Sequence, residues 1–341
     1  NATEIVVNNK PGLTISGGYQ GASGTPGTND PAQWPTIIQR GAALTRVLYV
    51  ANVTGVIENV SIRNGYLTAA PLSGAGVFVT NSTLTLSGCT IMSNTMVLTG
   101  EGLVFSGAGL YARVCNMLIT NCVISDNQTG DNTDRGQDHY GAGCMFSGGT
   151  VEMVDTKVVR NMINARGYSG IGDSPCSGGG VYSSAPLTMR NCVVNSNTIA
   201  GAIVVGYGAG MSVAATTFVS NCQFKGNQCV GRVNSQSDPP SATWLGGGIY
   251  ASAQLRVFET LVQGNSNNTP VLGASRGGGI YAGSAATLAN LLVVKNYATS
   301  TNGASYGDGI VAASSFGITN CTVVSNGSHG LYVGSGLRSL E

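Results

Sequence analysis

What limits this chain most is a sentence of residues that recurs along nearly all of it. Its clearest copy is Gly246-Gly247-Gly248-Ile249-Tyr250, followed by Leu255 to Phe258 and closed by Val262 and Asn265. The opening word, Gly-x-Gly-apolar, stands at Gly74–Val77, Gly107–Leu110, Gly141–Cys144, Gly178–Val181, Gly208–Met211, Gly246–Ile249, Gly277–Ile280 and Gly307–Ile310, with a degenerate copy at Ser328–Tyr332. The closing Asn stands at Asn64, Asn94, Asn127, Asn161, Asn197, Asn227, Asn265, Asn296 and Asn326, so successive copies lie 30, 33, 34, 36, 30, 38, 31 and 30 residues apart. A period of this size means stacked structural repeats.

Within each unit the apolar residues alternate, as at Leu84 and Leu86 or Leu187 and Met189. Period two marks a strand with one buried face. No unit has helical period, which sets helical repeats aside. Coils of about three short strands, stacked about 4.8 Å apart, would bury one continuous apolar column, and nine of them would span roughly 43 Å. Inward Asn residues are expected to pair amide to amide up the axis. The Gly-x-Gly word supplies positive φ or close backbone approach at a corner. Cys89, Cys122, Cys192, Cys222 and Cys321 share one place in the coil. Stacked Cys on neighbouring coils are within disulfide reach, but small buried hydrophobes are the expected reading.

These words resemble the right-handed parallel β-helix superfamily, the pectin-lyase-like fold. The repeat style is similar to bacterial surface β-helices such as the polymorphic outer-membrane proteins, whose coils carry Gly-Gly-[Ala/Gly]-[Ile/Leu/Val] and Phe-x-x-Asn. Gly246–Ile249 and Gly277–Ile280 match the first word, and Phe224-Lys225-Gly226-Asn227 matches the second. Ser16–Tyr19 and Pro35–Ile38 match the opening stretches of that group, and the resemblance covers about residues 55–333. It implies an all-β solenoid of about ten to eleven coils at a bacterial surface or secreted. Residues 1–40 then form an N-terminal cap and first coil with Trp34 as a lid, 41–333 the coils, and 334–341 a tail. The abrupt start and bare end suggest a piece of a longer secreted protein.

Only 9% of the 341 residues are charged and the net charge is +1, which argues against nucleic acid. No apolar run is long enough to span a membrane as a helix. Metal binding is not expected, because there is no C-x-x-C pair and the only histidines are His139 and His329.

Segment length varies between each closing Asn and the next Gly-x-Gly: Thr95–Ser106, Gln128–Tyr140, Met162–Ser177, Thr198–Tyr207, Gln228–Leu245, Ser266–Arg276 and Tyr297–Tyr306. All occupy the same point of the coil and should emerge on one edge, the usual working face of a repeat protein. Tyr140, Tyr168, Tyr207, Arg232, Trp244, Arg276 and Tyr306 lie on it. Tyr, Trp and Arg suit a polysaccharide or a surface-protein partner; alternatively they shield the loop bases. Asp131, Asp134, Arg135, Asp138 and His139 form the densest polar cluster. They are the candidates for a polysaccharide lyase or glycoside hydrolase on an acidic glycan, with Ca²⁺ the one cofactor they would admit. A solvated loop tip is the simpler account of them. Asn132-Thr133-Asp134 and Ser328-His329-Gly330 echo pectin-hydrolysing enzymes, but they lie six coils apart and no Asp-Asp pair accompanies them. The leading expectation is therefore an adhesin-like binder, with an enzyme, or a spacer or filament subunit adding end to end, as alternatives.

Overall fold

The computed structural model describes residues 4–21, 27–98, 104–131, 137–165, 175–201, 205–231, 242–269, 273–301, 303–334 and 337–340. Every element in them is a strand, and every named strand pairing is parallel. Four sheets of eighteen, ten, eight and seven strands run along the molecule, here sheets 1 to 4.

The coil from 242 to 269 shows the plan. Ala242–Leu245 belongs to sheet 4, Ile249–Ala251 and Leu255–Phe258 to sheet 1, Leu261–Gln263 to sheet 2 and Ser266–Thr269 to sheet 3. Left-handed residues turn the corners between sheets, at Gly246 (φ 67°), Glu259 (φ 50°) and Gly264 (φ 64°). Ten rungs stack in sheet 2 and seven in sheet 4. The ten to eleven coils expected from the repeat thus reduce to seven that carry a sheet 4 strand.

Sheets 1 and 2 enclose the main apolar column, with Leu84, Leu86, Ile119, Phe146, Val219 and Ile249 each almost fully buried. At its edge runs the amide ladder. Asn127 Nδ2 donates to Asn161 Oδ1 at 2.9 Å, Asn161 to Asn197 at 3.0 Å, Asn197 to Asn227 at 3.0 Å and Asn227 to Asn265 at 2.9 Å. Each amide also donates to a carbonyl of the preceding coil, and each Oδ1 also accepts a backbone N–H, as at Asn161 and Val158 around Asn197. The two glycines of the opening word have separate reasons. The first lies at φ between 57° and 68°, from Gly74 through Gly178. A Cβ on the second would sit 2.6–3.1 Å from the ladder amide, as at Gly76 beside Asn94 and Gly279 beside Asn296. The glycine and the asparagine at opposite ends of the repeated sentence are contact partners.

Asn64 is a correction to that pattern. Ile62 pairs in register with Ile91, which puts Gly65, not Asn64, level with Asn94. The Gly65 N–H donates to Asn94 Oδ1 at 2.8 Å, and Asn64 is exposed at φ 63°.

All nine cysteines are free thiols. Five of them stand at the corner between sheets 1 and 2, where Cys122, Cys192, Cys222 and Cys321 donate to the carbonyls of Thr120, Arg190, Ser220 and Thr319 at 3.2, 3.2, 3.1 and 3.2 Å. Thr156 and Thr260 occupy the same place and make the same bond, at 2.9 and 2.7 Å. The column selects a small side chain with a short donor.

Ile5–Ser16 and Thr36–Gln39 supply the first rungs of sheets 1 and 2. Leu337–Leu340, expected as tail, pairs with Phe316–Thr319 and continues sheet 1.

Candidate functional site

The variable segments do share one edge. Each leaves the ladder as a sheet 3 strand and returns to the Gly-x-Gly corner as a sheet 4 strand, so the two sheets form a fin on the solenoid. They face each other closely: Thr129 Oγ1 lies 3.0 Å from His139 Nδ1, and Ser275 Oγ donates to the Asn267 carbonyl at 3.1 Å. Alternation along these short strands turns every second residue inward. In sheet 4 the inward column is Phe105, His139, Cys176, Gly206, Trp244 and Ser275. Met96, Ile163, Ile199 and Cys229 line the other wall, giving the fin its own small core.

That core corrects two expectations. Trp244, expected on the binding edge, is fully buried and its ring is closed to the surface. Its six-membered ring fills space left by Gly206 on the neighbouring rung, where any Cβ would overlap it. His139 is equally buried, stacked on Phe105 at 4.3 Å, so it faces no substrate as acid or base. Asp138 turns outward beside Tyr140, whose hydroxyl lies 3.4 Å from its carboxylate. Burial raises the Asp138 carboxyl above the usual range, partly offset by the Tyr140 hydrogen bond. Asp134, Arg135, Tyr168 and Arg232 lie outside the described residues, as does the side chain of Asp131. The Ca²⁺ expectation rests on that same stretch. Among the described residues no three His, Cys, Asp or Glu side chains gather as a metal site.

Tyr140, Tyr207, Arg276 and Tyr306 do come together. They occupy one outward column of sheet 4, in register with Ser106, Ser177 and Leu245. Around the Gly-x-Gly corner, sheet 1 presents a second outward column: Tyr49, Phe78, Tyr111, Met145, Tyr182, Ser212, Tyr250, Tyr281, Val311 and Tyr332. The columns are complementary. Where sheet 1 has Met145, Ser212 or Val311, the fin supplies Tyr140, Tyr207 or Tyr306 on the same rung. One aromatic ring therefore stands at every rung from Tyr49 to Tyr332. Two rings on one rung would crowd a re-entrant corner, and none would leave a gap.

The rings touch across the corner. Tyr207 stacks on Tyr250 at 4.5 Å, Tyr140 meets Tyr182 at 4.7 Å and Tyr306 meets Tyr332 at 4.5 Å. Phe78 stacks on Tyr111 at 5.0 Å and Tyr250 on Tyr281 at 5.6 Å, while the Arg276 guanidinium lies 4.6 Å over Tyr306. Outward side chains of two walls can meet only if the walls enclose a concave angle. The result is a seam running the length of the fin, its rings mostly half-buried. Each such pair adds about 0.5–1.5 kcal/mol beyond area burial. The sequence reading saw the fin wall and missed the solenoid wall. The signal was present, since Phe78, Tyr111, Tyr182, Tyr250 and Tyr281 each directly follow the Gly-x-Gly-apolar word, and Tyr332 follows its degenerate copy.

Burial also sets the seam's response to alkali. It raises the phenols of Tyr111, Tyr140 and Tyr182, and pushes Tyr250 from 10.0 up to about 12. A folded-state pKa above the unfolded one gives stability that is complete below the unfolded value and lost as pH rises through the folded value. The solenoid should therefore lose stability between pH 10 and about 12, with tyrosinate absorbance and β-sheet dichroism changing together. Ionisation near pH 10 with no loss of stability would contradict a seam closed by neutral phenols.

A family model described as the right-handed beta helix region matches residues 46–243, more than half of the chain. No curated protein and no solved structure matches the sequence. With parallel rungs, an internal Asn ladder and that match, the chain belongs to the right-handed β-helix family.

Proposed function

We propose that this protein is an extracellular, cell-surface or secreted binding solenoid that holds an extended glycan along the aromatic seam. The observation that carries this is the ring at every rung. A line of rings that repeats its chemistry by translation suits a ligand that does the same, and a polysaccharide repeats along its axis. Ring edges and phenol hydroxyls offer a sugar apolar contact and hydrogen bonds in one side chain.

The test is a polysaccharide array read both for retention and for turnover. Retention without cleavage is expected. The Tyr207→Ala, Tyr250→Ala double variant should weaken binding at least about tenfold, ~1.4 kcal/mol, while the fold persists. Unchanged binding by that variant sinks the seam as the ligand surface. Release of unsaturated or reducing ends, abolished by Asp138→Asn, would instead favour a lyase or hydrolase, the reading that the raised carboxyl of Asp138 supports.

A further inference from the structure

The exposed Asn64, left out of the amide ladder, lines a separate concavity of about 360 Å³ together with Arg40, Tyr66, Ser93 and Thr95. This lies where sheets 2 and 3 meet, on the opposite side of the fin from the aromatic seam. Arg40 is held there firmly. Its guanidinium lies 5.3 Å over the Tyr66 ring, and its Nη1 donates to the carbonyls of Gly41 and Ala43, each at 3.2 Å. Its Nε is buried with no acceptor, and no carboxylate of the described residues lies within ion-pair reach of it. Arg46 pairs with Glu4, Arg160 with Asp126 and Arg190 with Glu152, whereas Arg276 shares with Arg40 a buried, unpartnered Nε and a guanidinium over a tyrosine ring; Arg40 differs from it in facing a concavity lined by donors. Around Arg40 stand the amide of Asn64, whose Nδ2 has only a long 3.5 Å contact to Gln39 Oε1, and the hydroxyls of Tyr66, Ser93 and Thr95; among the described residues no acidic side chain lines the space.

A fixed positive charge with donor neighbours and no counter-charge is half of an ion pair. We propose that this corner is an oxyanion site, taking a carboxylate or sulfate group through Arg40 with Asn64, Ser93 and Thr95 as further donors. The site is independent of the seam.

Glucuronate and sulfate are the probes, with glucose as the neutral control, in calorimetry and in NMR of the arginine Nε–H signals. At least one anion should bind saturably and shift the Arg40 signal, while glucose does not. Binding of glucuronate alone assigns a carboxylate ligand, and binding of sulfate alone a sulfate ester. Arg40→Gln should weaken binding at least tenfold. Asn64→Ala leaves the Arg40 anchor bonds intact, so it should weaken binding severalfold with only a small loss of thermal stability, the cost of alanine at φ 63°. The site is refuted if neither anion shifts Arg40, if glucose shifts it equally, or if both variants bind as well as the native protein.

Discussion

Asn197→Ala should destabilise the solenoid by about 4 kcal/mol, because one side chain closes four hydrogen bonds that nothing else can make. Its Oδ1 accepts from the backbone N–H and the Nδ2 of Asn161, both at 3.0 Å, and its Nδ2 donates to the Val158 carbonyl at 2.9 Å and to Asn227 Oδ1 at 3.0 Å. Alanine leaves donors and acceptors stranded in a site sealed from solvent. A buried group without its partner costs about 1–3 kcal/mol, and a water filling the vacated space returns part of that. Asn64→Ala is the matched control. It removes an asparagine that stands one residue outside the ladder, at an exposed position, and should cost about 1 kcal/mol or less, chiefly for holding alanine at φ 63°. Denaturant titration followed by circular dichroism measures both. Equal losses at the two positions would mean that the ladder is decoration on a fold held by its apolar column alone.

The contrast between those asparagines shows how far the letters reach. The Gly-x-Gly word and the closing Asn were legible because each obeys a constraint repeated at every rung: a left-handed corner, a missing Cβ and an amide that needs both neighbours. Sequence could not show that Asn64 is one residue out of step, since Gly65 satisfies Asn94 through its backbone N–H alone. The fin core was illegible for a different reason. Its inward column runs Phe105, His139, Cys176, Gly206, Trp244 and Ser275, with no common size or polarity. Volume there is balanced between neighbouring rungs rather than within each one, so a bulky residue is matched by a glycine thirty-eight positions earlier. No single repeat carries that pattern. The seam was half legible for the same reason, its aromatic being supplied by either of two walls.

The same balance sets the second large effect. Trp244→Ala should cost about 3–5 kcal/mol, the range for truncating a buried aromatic residue, and should act on the fin before the solenoid. The indole is fully buried between Gly206 and the opposite wall, where Cys229 belongs to the same cluster. Nothing adjacent can fill the void, because the neighbouring rungs offer only Gly206 and Ser275. Gly206→Ala approaches the site from the other side: its new methyl would overlap the ring and force Trp244 out. The two changes are therefore strongly non-additive, and alanine at 206 should cost much less once Trp244 is already alanine. Amide hydrogen exchange is the sharper readout. Protection should fall first along 205–207, 228–231 and 242–245, while the ladder at Asn197 and Asn227 stays protected. If the seam holds a glycan as proposed, retention should survive at temperatures where the fin stays folded, since the indole lies beneath the seam's rings and is closed to the surface. Loss of binding with unchanged stability would instead put Trp244 at the ligand surface, which its burial forbids.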